Sequence, residues 1–387
     1  MSIVRPIRLA FTLISRQAWA GGYNYQLNLF NALANYCPGA ITPVVFTGEG
    51  HDAGELAPIR QVPAAEIVCS ANFDRPALSS LLPTAFAQDR GAMSSFRSHK
   101  IDAVWENARF FGWKCPYPTV AWIPDLQHRQ LPHLFSNKAR RRREMGFQLQ
   151  VLSGRTVILS SRSAERHCLS YYPRTKERTA VVRFASEPSA ELLKLDPEQV
   201  LHKYDLPRTY FYVPNQFWRH KNHRIVLDAL ALLAERGVRP VVVASGGSDP
   251  NEPEYLNQIM REAADRGLAR QFRYLGMIPL AEVYALLRAC AALINPSRFE
   301  GWSTTVEEAK SFSVPMMLSD IDVHREQAEQ RARYFGTDDA PALAAHLQDF
   351  AHPVFVVREM DDQLGERVRK FAESFVSTIK RTVRSHR

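Results

Sequence analysis

Two glutamates in the second half of the chain, Glu300 and Glu308, have a spacing and setting that suit the binding of a sugar and an anion. A buried strand is predicted over 291–295 and leads into the loop that carries Glu300. A helix is predicted over 304–312, so Glu308 lies about one turn inside it. Carboxylates can accept hydrogen bonds from sugar hydroxyls, and the free N–H groups at a helix start can bind phosphate. The alternative is a capped helix with ordinary surface charge.

A basic loop follows the first apolar run of the second half, 209–214. It contains Asn215, Arg219 and Lys221 and precedes a helix predicted over 223–236. Two cations at a strand-to-helix turn suit a pyrophosphate, since its oxygens accept charge-assisted hydrogen bonds. The alternative is a surface loop whose basic side chains face solvent.

Two places in the first half could also contact a ligand. Gly21 and Gly22 lie between the first predicted strand and the first predicted helix, and glycine lets a backbone approach a ligand closely. Asp125 and His128 follow a buried run over 119–123, at the strand end where ligands bind in parallel sheets. Each has an ordinary structural alternative, because such turns often carry glycine and a lone histidine is often part of a core.

Short apolar runs alternate with helical periodicity through both halves, which predicts parallel sheets made of right-handed βαβ units. Most runs are continuous rather than alternating, as expected for strands covered on both faces. They are 7–14, 41–47, 101–105, 119–123, 156–160 and 179–183 in the first half, and 209–214, 239–245, 271–275, 291–295 and 314–319 in the second. We therefore predict an α/β fold with two doubly wound, Rossmann-like domains that face each other across a cleft.

The weakest patterning near the middle of the chain predicts the boundary between these domains. Residues 185–208 contain three prolines and only a short helix-like piece. We predict a first domain over 1–186, a linker over 187–207 and a second domain over 208–360. A final helix within 361–387 is expected to pack back toward the first domain.

The order of these motifs resembles the retaining glycosyltransferases of the GT-B fold, most closely family 4, which builds bacterial polysaccharides and lipopolysaccharides. The resemblance rests on the early Gly-Gly pair, N-x-F-x-x-x-K-N at 215–222, Tyr-Leu-Gly at 274–276 and S-R-F-E-G-W-S-x-x-x-x-E-A at 297–309. It is specific over 209–326, moderate over 7–35 and 119–185, and absent from about 50–100.

The resemblance implies an enzyme whose first domain holds a glycan or lipid-linked acceptor and whose second domain holds a nucleotide-diphosphate sugar. Glu308 would bind the ribose, Lys221 the pyrophosphate, and Glu300 would face the transferred sugar as a catalytic group. The other donor contacts would come from Asn215, from Gly21 and Gly22 over the phosphates, from the N–H groups of Gly301, Trp302, Ser303 and Thr304, and from a base pocket at Gly276 and Met277.

Two departures from the family pattern leave roles open. The family often has arginine five residues before the lysine, where this chain has Gln216, and Arg219 is the candidate substitute. It often has histidine immediately before the aspartate of the first-domain loop, where this chain has Pro124. His128, together with Asp125, is then the candidate for a catalytic role in that loop.

Positive charge is concentrated in the first half of the chain. Residues 1–190 hold 23 Lys and Arg against 13 Asp and Glu, whereas 191–387 hold 26 against 27. The basic residues are densest at 140–143, and four consecutive helical residues cannot all share one face. We expect a cytoplasmic protein with peripheral contact at the inner face of an anionic membrane. The alternative is a solvated helix. No nucleic-acid-binding module is visible.

Other classes of protein fit the chain less well. Its five cysteines form no C-x-x-C pair, which argues against a disulfide framework and a structural zinc site. Asp320 and Asp322 match a metal-binding Asp-x-Asp, but they lie past the glutamate pair, so we expect no metal and no other cofactor. Residues 48–50 match Gly-x-Gly, but we predict no helix after them, unlike a dinucleotide-binding turn. A non-catalytic nucleotide- or sugar-binding protein remains the alternative function.

Overall fold

The continuous apolar runs form parallel strands in two separate sheets. The computed structural model describes residues 5–74, 87–107, 109–350 and 355–386. By its internal contacts the chain divides into two units. The first comprises Met1–Ala185 with Gly365–Arg387, and the second comprises Ser186–Leu364. Each unit contains one of the sheets.

The first unit carries seven strands in the described residues. They are β1 (Ile7–Thr12), β2 (Ile41–Thr47), β3 (Glu66–Cys69), β4 (Ala103–Glu106), β5 (Thr119–Trp122), β6 (Thr156–Leu159) and β7 (Thr179–Val181). Their helices are α1 (Ala20–Tyr36), α2 (Ala53–Arg60), α3 (Arg90–Ser98), α4 (Gln127–Gln130), α5 (Asn137–Leu152) and α6 (Arg162–Tyr171). The strand order is β3-β2-β1-β4-β5-β6-β7, and each pair is parallel.

The second unit carries six strands in the part of the chain that the structure describes. They are β8 (Phe211–Val213), β9 (Val242–Ala244), β10 (Phe272–Tyr274), β11 (Leu293–Asn295), β12 (Met316–Ser319) and β13 (Ala332–Phe335). Its helices are α7 (Pro197–Lys203), α8 (Arg224–Glu235), α9 (Glu254–Asp265), α10 (Leu280–Ala289), α11 (Thr304–Lys310), α12 (Asp322–Ala328) and α13 (Ala340–Asp349). The strand order is β10-β9-β8-β11-β12-β13, again parallel throughout.

Strand order reverses direction at the first strand of each unit, between β1 and β4 and between β8 and β11. The loops that leave two such neighbouring strands run to opposite faces of the sheet and open a crevice at the carboxyl ends, where ligands bind in this architecture. In the second unit, Leu293 of β11 lies opposite Tyr212 of β8. The loop that carries Lys221 and the loop that carries Glu300 therefore leave adjacent strands.

Residues 187–207, for which we predicted a linker, pack as part of the second unit. Pro197 is the first residue of α7, where a missing N–H costs nothing, and the Asp196 side chain caps this helix by accepting a bond from the Glu198 N–H. Val200 and Leu201 are buried. Pro197 therefore marks the start of the short helix-like piece in this segment.

The final helix, α14 (Leu364–His386), belongs to the first unit from Gly365 onward. Phe371 and Phe375 are buried on its apolar face, and the Phe375 ring lies 5.2 Å from that of Trp105 on β4. Among the described residues, no helix has the combination of length and apolar character that crossing a membrane requires.

Three elements differ from expectation, and each has a physical reason. β3 and β13 were not predicted, because these edge strands are short and only partly buried. Helix α2 follows Gly48 and Gly50, where we predicted none, although Pro58 lies within it. The Asp52 side chain accepts a hydrogen bond from the Gly54 N–H and so stabilises its start.

Candidate functional site

The centre of the candidate site is Asn295, the last residue of β11, which is fully buried. Its Oδ1 accepts hydrogen bonds from the side chains of Asn215 at 3.2 Å and Ser297 at 2.7 Å. Its Nδ2 donates to the hydroxyls of Ser303 at 2.8 Å and Thr305 at 3.1 Å. One amide thus joins the end of β8, the Glu300 loop and the start of α11. Its position at the end of a buried apolar strand was a signal that our sequence analysis did not use.

Lys221 and Glu300 meet as an ion pair, with Nζ and Oε1 2.6 Å apart and both side chains mostly buried. The Ser297 hydroxyl lies 2.7 Å from the same Oε1. Burial alone would raise the pKa of Glu300, but the neighbouring positive groups, of which Lys221 contributes most, together outweigh burial and hold the pKa below its usual range. The structure therefore offers an ionised carboxylate and an ammonium group at the β8–β11 crevice.

Backbone contacts hold the two loops of this pair together. The Arg298 N–H donates to the His220 carbonyl at 2.8 Å. Asn222 adopts a left-handed conformation with φ of 57° and donates from Nδ2 to the carbonyls of Pro296 and Thr337. Asparagine tolerates this conformation better than most residues. The Lys221–Glu300 geometry thus depends on main-chain bonds as well as on charge.

Glu308 lies on α11 and is 7% exposed. Burial raises its pKa to about 7, and a hydrogen bond with Tyr284 of α10 lowers it only in part. The neighbouring Glu307 is equally buried but pairs with Lys310 at 2.9 Å. Among the described residues Glu308 has no cationic partner, so its carboxylate suits hydrogen-bond donors such as sugar hydroxyls. Strongly shifted groups of this kind are concentrated at functional sites.

Ser303 begins α11, and its hydroxyl lies 3.5 Å from the Val306 N–H. Gln327 of α12 holds the Ser303 backbone from both sides, accepting from its N–H at 3.1 Å and donating to its carbonyl at 2.8 Å. The structure thus brings Gly301, Trp302, Ser303 and Thr304 to the carboxyl end of β11, as their place in the sequence requires. Their contact with donor oxygens stays a prediction.

Two glycine turns of the second sheet lie side by side at its carboxyl end. The Gly246 N–H donates to the Gly276 carbonyl at 3.0 Å, and Gly276 has a φ of 75°. Gly246 has a φ of 139°, and a Cβ there would lie 2.4 Å from the Asn215 carbonyl oxygen. Met277 is 69% exposed beside these turns. The predicted contact of Gly276 and Met277 with a nucleobase stays a prediction.

The neutral Gln216 side chain is engaged with this glycine region. Its Oε1 accepts from the Gly247 N–H at 2.7 Å. Arg219 forms an ion pair with Glu252, and its guanidinium lies 5.2 Å from the centre of the Tyr255 ring. The structure therefore places Arg219 against acidic and aromatic neighbours, whereas Lys221 contacts Glu300. Its predicted part in pyrophosphate binding would require it to leave Glu252.

Asp320 of the Asp-x-Asp pattern is engaged by a nearby arginine. Both carboxylate oxygens of Asp320 accept hydrogen bonds from Arg325, each at 2.7 Å. Asp322 is the first residue of α12. In the part of the chain that the structure describes, no three His, Cys, Asp or Glu side chains converge as metal ligands.

In the first unit, Gly21 and Gly22 lie inside the first turn of α1 rather than before it. The Trp19 indole covers them, since a Cβ on Gly22 would lie 2.3 Å from a ring carbon of Trp19. That indole also stacks on Trp122, the last residue of β5, with centroids 5.4 Å apart. The missing Cβ atoms here make room for an indole, and any phosphate contact by these glycines stays a prediction.

Asp125 and His128 both face neighbours within the first unit. Asp125 accepts from the Gln127 N–H and from Arg143 at 3.0 Å. His128 is fully buried, with Nε2 3.0 Å from Glu144, and burial lowers its pKa. The ring has no exposed surface in this structure and its Nε2 is already engaged by Glu144, so a substrate contact would require the surrounding side chains to move. The geometry therefore supports a structural role for His128, and its catalytic role remains untested.

The basic run on α5 divides as helical geometry requires. Arg140, Arg141 and Arg142 are exposed, whereas Arg143 is half-buried and pairs with Asp125. Its guanidinium also lies near two aromatic rings. Three of the four cations thus remain available to an anionic partner.

Comparison with known proteins finds a family match over most of the second unit. Residues 198–371, somewhat less than half of the chain, match the family described as Glycosyl transferases group 1. This stretch contains β8 to β13 and therefore all the residues gathered around Asn295. The O-antigen chain mannosyltransferase B of Escherichia coli is 27% identical over 151 residues, which make up 38% of this chain. The alignment likewise spans 38% of that relative's own length.

Solved structures extend the likeness to the fold of the whole chain. Alr3699/HepE from Anabaena, crystallised with UDP and glucose, has a TM-score of 0.64 at 16% identity, covering 99% of this chain and 98% of that one. WaaG, a glycosyltransferase involved in lipopolysaccharide biosynthesis, has a TM-score of 0.59 at 12% identity, covering 97% and 98%. The two parallel-sheet α/β domains are thus those of a GT-B fold.

Proposed function

We propose that the chain is a glycosyltransferase that moves a sugar from a nucleotide-diphosphate sugar to a glycan or lipid-linked acceptor. The observation that carries the proposal is the Lys221–Glu300 ion pair on the loops that leave β8 and β11, with the buried Glu308 on the helix that follows the Glu300 loop. A donor of this kind presents ribose hydroxyls, a diphosphate and sugar hydroxyls in a row. In the same order, Glu308, Lys221 and Glu300 would supply a carboxylate, a cation and a second carboxylate.

Each of these groups has a proposed part in the reaction. Glu308 accepts hydrogen bonds from the ribose, and the base lies against Gly276 and Met277. The Lys221 ammonium stabilises the negative charge that develops on the leaving diphosphate. Glu300 faces the sugar, whose anomeric carbon becomes positively charged as the bond to the diphosphate breaks. We propose retention of anomeric configuration because of the family resemblance, and the anomeric coupling constant of the product measures it.

We propose that the reaction needs no metal ion. Lys221 supplies positive charge at the site where the diphosphate would lie, and Asp320 is neutralised by Arg325. The remaining charge would be met by N–H groups of the Glu300 loop. The proposed reaction uses no cofactor, and the nucleotide-sugar is a substrate.

We propose a setting in bacterial cell-surface polysaccharide or lipopolysaccharide synthesis, which is the context that the names of the mannosyltransferase and of WaaG give for those proteins. The acceptor would bind the first unit. The chain would work in the cytoplasm, with exposed arginines of α5 in peripheral contact with the inner face of the membrane.

Turnover by matched variants tests the proposal. We would incubate the protein with UDP-glucose, GDP-mannose and related donors and measure release of the nucleoside diphosphate. Lys221→Ala should lower the rate at least about a hundredfold, since it removes a charge that acts in the transition state. Arg333→Ala, which breaks the exposed ion pair with Asp349, is the control and should leave the rate unchanged. Binding without turnover for every donor would favour the non-catalytic alternative.

A further inference from the structure

His324 of α12 is a fully buried histidine that no role described above uses. Its Nδ1 lies 2.9 Å from the carbonyl oxygen of Ser319 at the end of β12. A carbonyl can only accept, so Nδ1 carries the hydrogen and Nε2 of the neutral ring is a lone-pair acceptor. Nε2 is buried without a hydrogen-bond partner among the described residues.

The ring lies within the electrostatic field of the candidate donor site. Burial lowers the pKa of His324 to about 4, the Glu300 charge acts to raise it, and the Lys221 charge acts to lower it. The ring is therefore neutral at pH 7, which keeps the Nε2 lone pair available. Both charged groups of the Lys221–Glu300 pair are thus close enough to influence this imidazole.

Hydrogen bonds connect α12 to both ends of the Glu300 loop. At one end, the Ser319 hydroxyl donates to the Ser297 carbonyl at 2.5 Å, and it lies 3.1 Å from Nδ1 of His324. At the other end, Gln327 holds the backbone of Ser303. His324 precedes Gln327 by three positions, so the two side chains share one face of the helix. The histidine therefore lies on the helix face that supports the Glu300 loop.

A structural role accounts for Nδ1 of the His324 ring but not for Nε2. The Nδ1 bond to Ser319 would be made equally well by the amide of asparagine. A buried acceptor left unpaired is unfavourable, and such groups in native structures call for a specific explanation. Lys221 does not satisfy it, because its ammonium is held by Glu300. Among the described residues no donor satisfies Nε2, so its partner is sought in a bound ligand.

We propose that Nε2 of His324 accepts a hydrogen bond from a hydroxyl group of the transferred sugar, which makes His324 a sugar-recognition residue of the donor site. The inference rests on the proposed function, since it needs a nucleotide-sugar in the β8–β11 crevice. The diphosphate would draw Lys221 from Glu300, and the loop between Ser297 and Ser303 would open toward the sugar. A site built around a buried acceptor discriminates strongly against ligands that lack the matching hydroxyl.

Two substitutions separate the two ring nitrogens. His324→Asn keeps an amide N–H near the position of Nδ1, which preserves the bond to Ser319 and removes the second acceptor. His324→Gln instead can place its amide oxygen near the position of Nε2. Each variant would be titrated calorimetrically with a nucleoside diphosphate and with its hexose ester, using UDP with UDP-glucose and GDP with GDP-mannose.

For the pair that wild type binds, we expect His324→Asn to weaken the hexose ester by about tenfold or more and to leave the free diphosphate unchanged within about twofold. His324→Gln should retain part of the affinity for the ester. Deoxy analogues of the sugar then identify the hydroxyl: its removal should weaken binding to wild type but not to His324→Asn.

Other outcomes overturn the inference and are distinguishable from one another. If His324→Asn weakens the diphosphate and its ester equally, the histidine only supports the loop. If it weakens neither, Nε2 is satisfied by a buried water or needs no partner. If wild type binds the diphosphate but gains nothing from the sugar, the proposed function survives and this inference fails. If wild type binds no nucleotide at all, the proposed function fails and the inference with it.

Discussion

Replacing Glu308 by glutamine should make the empty protein more stable and the nucleotide complex weaker. The pKa of this carboxyl is raised to about 7 from an ordinary value of 4.5. Each pKa unit corresponds to about 1.4 kcal/mol, so keeping the group ionised in the empty site costs about 3 kcal/mol. Because the pKa of Glu308 is raised in the folded protein, its contribution to the free energy of unfolding is fully present below pH 4.5. That contribution is lost as the pH rises through 7, where the folded protein must ionise the buried carboxyl.

Glutamine cannot ionise, so Glu308→Gln avoids this loss. At pH 8 we expect the variant to unfold several degrees above wild type, and at pH 5 the difference should be small. For a unit of 150–250 residues, 1 kcal/mol shifts Tm by about 2–4 °C. Glu307→Gln is the matched control: this neighbour is equally buried but pairs with Lys310, so its neutralisation should lower Tm at pH 8.

The functional half of the prediction is measured by calorimetric titration with a nucleoside diphosphate at pH 8. We expect Glu308→Gln to bind at least about tenfold more weakly than wild type, because an ionised acceptor for the ribose is lost. When the pH is lowered below 7, Glu308 becomes protonated, so the nucleotide affinity of wild type should fall. The affinity of Glu308→Gln should fall less over the same pH range. A variant that is no more stable at pH 8, or that binds nucleotide as well as wild type, would refute this account of Glu308.

Three further predictions concern other parts of the molecule. Gly246→Ala should lower Tm by several degrees and weaken nucleotide binding, because its Cβ would meet the Asn215 backbone. Gly247→Ala is the control, since its Cβ would meet only side-chain atoms, the nearest at 3.2 Å, and should be tolerated. Equal Tm values for the two variants would show that the turn can relax. Turnover should survive EDTA, and loss of turnover that Mg²⁺ or Mn²⁺ restores would mean that a cation supplies charge assigned to Lys221. In flotation assays, wild type should accompany anionic vesicles at low salt and leave them at high salt, and glutamine at residues 140–142 should abolish this; no flotation of wild type would leave the arginines as a solvated face.

The sheet strands were predictable because burial on both faces leaves continuous apolar runs in the sequence. Runs such as 41–47 and 239–245 coincide with strands, apart from their ends. The edge strands β3 and β13 are only four residues long, each with one charged residue, and are partly exposed, so they leave no long apolar run. Residues 187–207 were predicted to be a linker because of their prolines, but proline both interrupts helices and begins them. Whether such a segment forms a packed helix depends on whether its apolar residues, such as Val200, are buried in the core, and the sequence alone does not show this.

The charged residues of the site were predictable by type and spacing, but their partners were not. Glu300, Glu308 and Lys221 belong to recognisable motifs, whereas the bond between Lys221 and Glu300 joins residues 79 positions apart. Tyr284 and His324 lie in segments without a motif and reach the site only through the packing of α10 and α12. Arg219 was predicted to bind phosphate, yet its partner Glu252 lies 33 positions away in the loop after β9. Contacts between distant loops depend on tertiary structure rather than on local pattern.

A crystal structure with a bound nucleoside diphosphate tests the central claim most directly. We would soak crystals with the diphosphate that raises Tm most in a screen that includes UDP and GDP. The account predicts ribose hydroxyls within hydrogen-bond distance of the Glu308 carboxylate, a diphosphate in contact with the Lys221 ammonium and the base beside Gly276. A nucleotide bound elsewhere in the chain, or one at this crevice whose ribose does not contact Glu308, would contradict it.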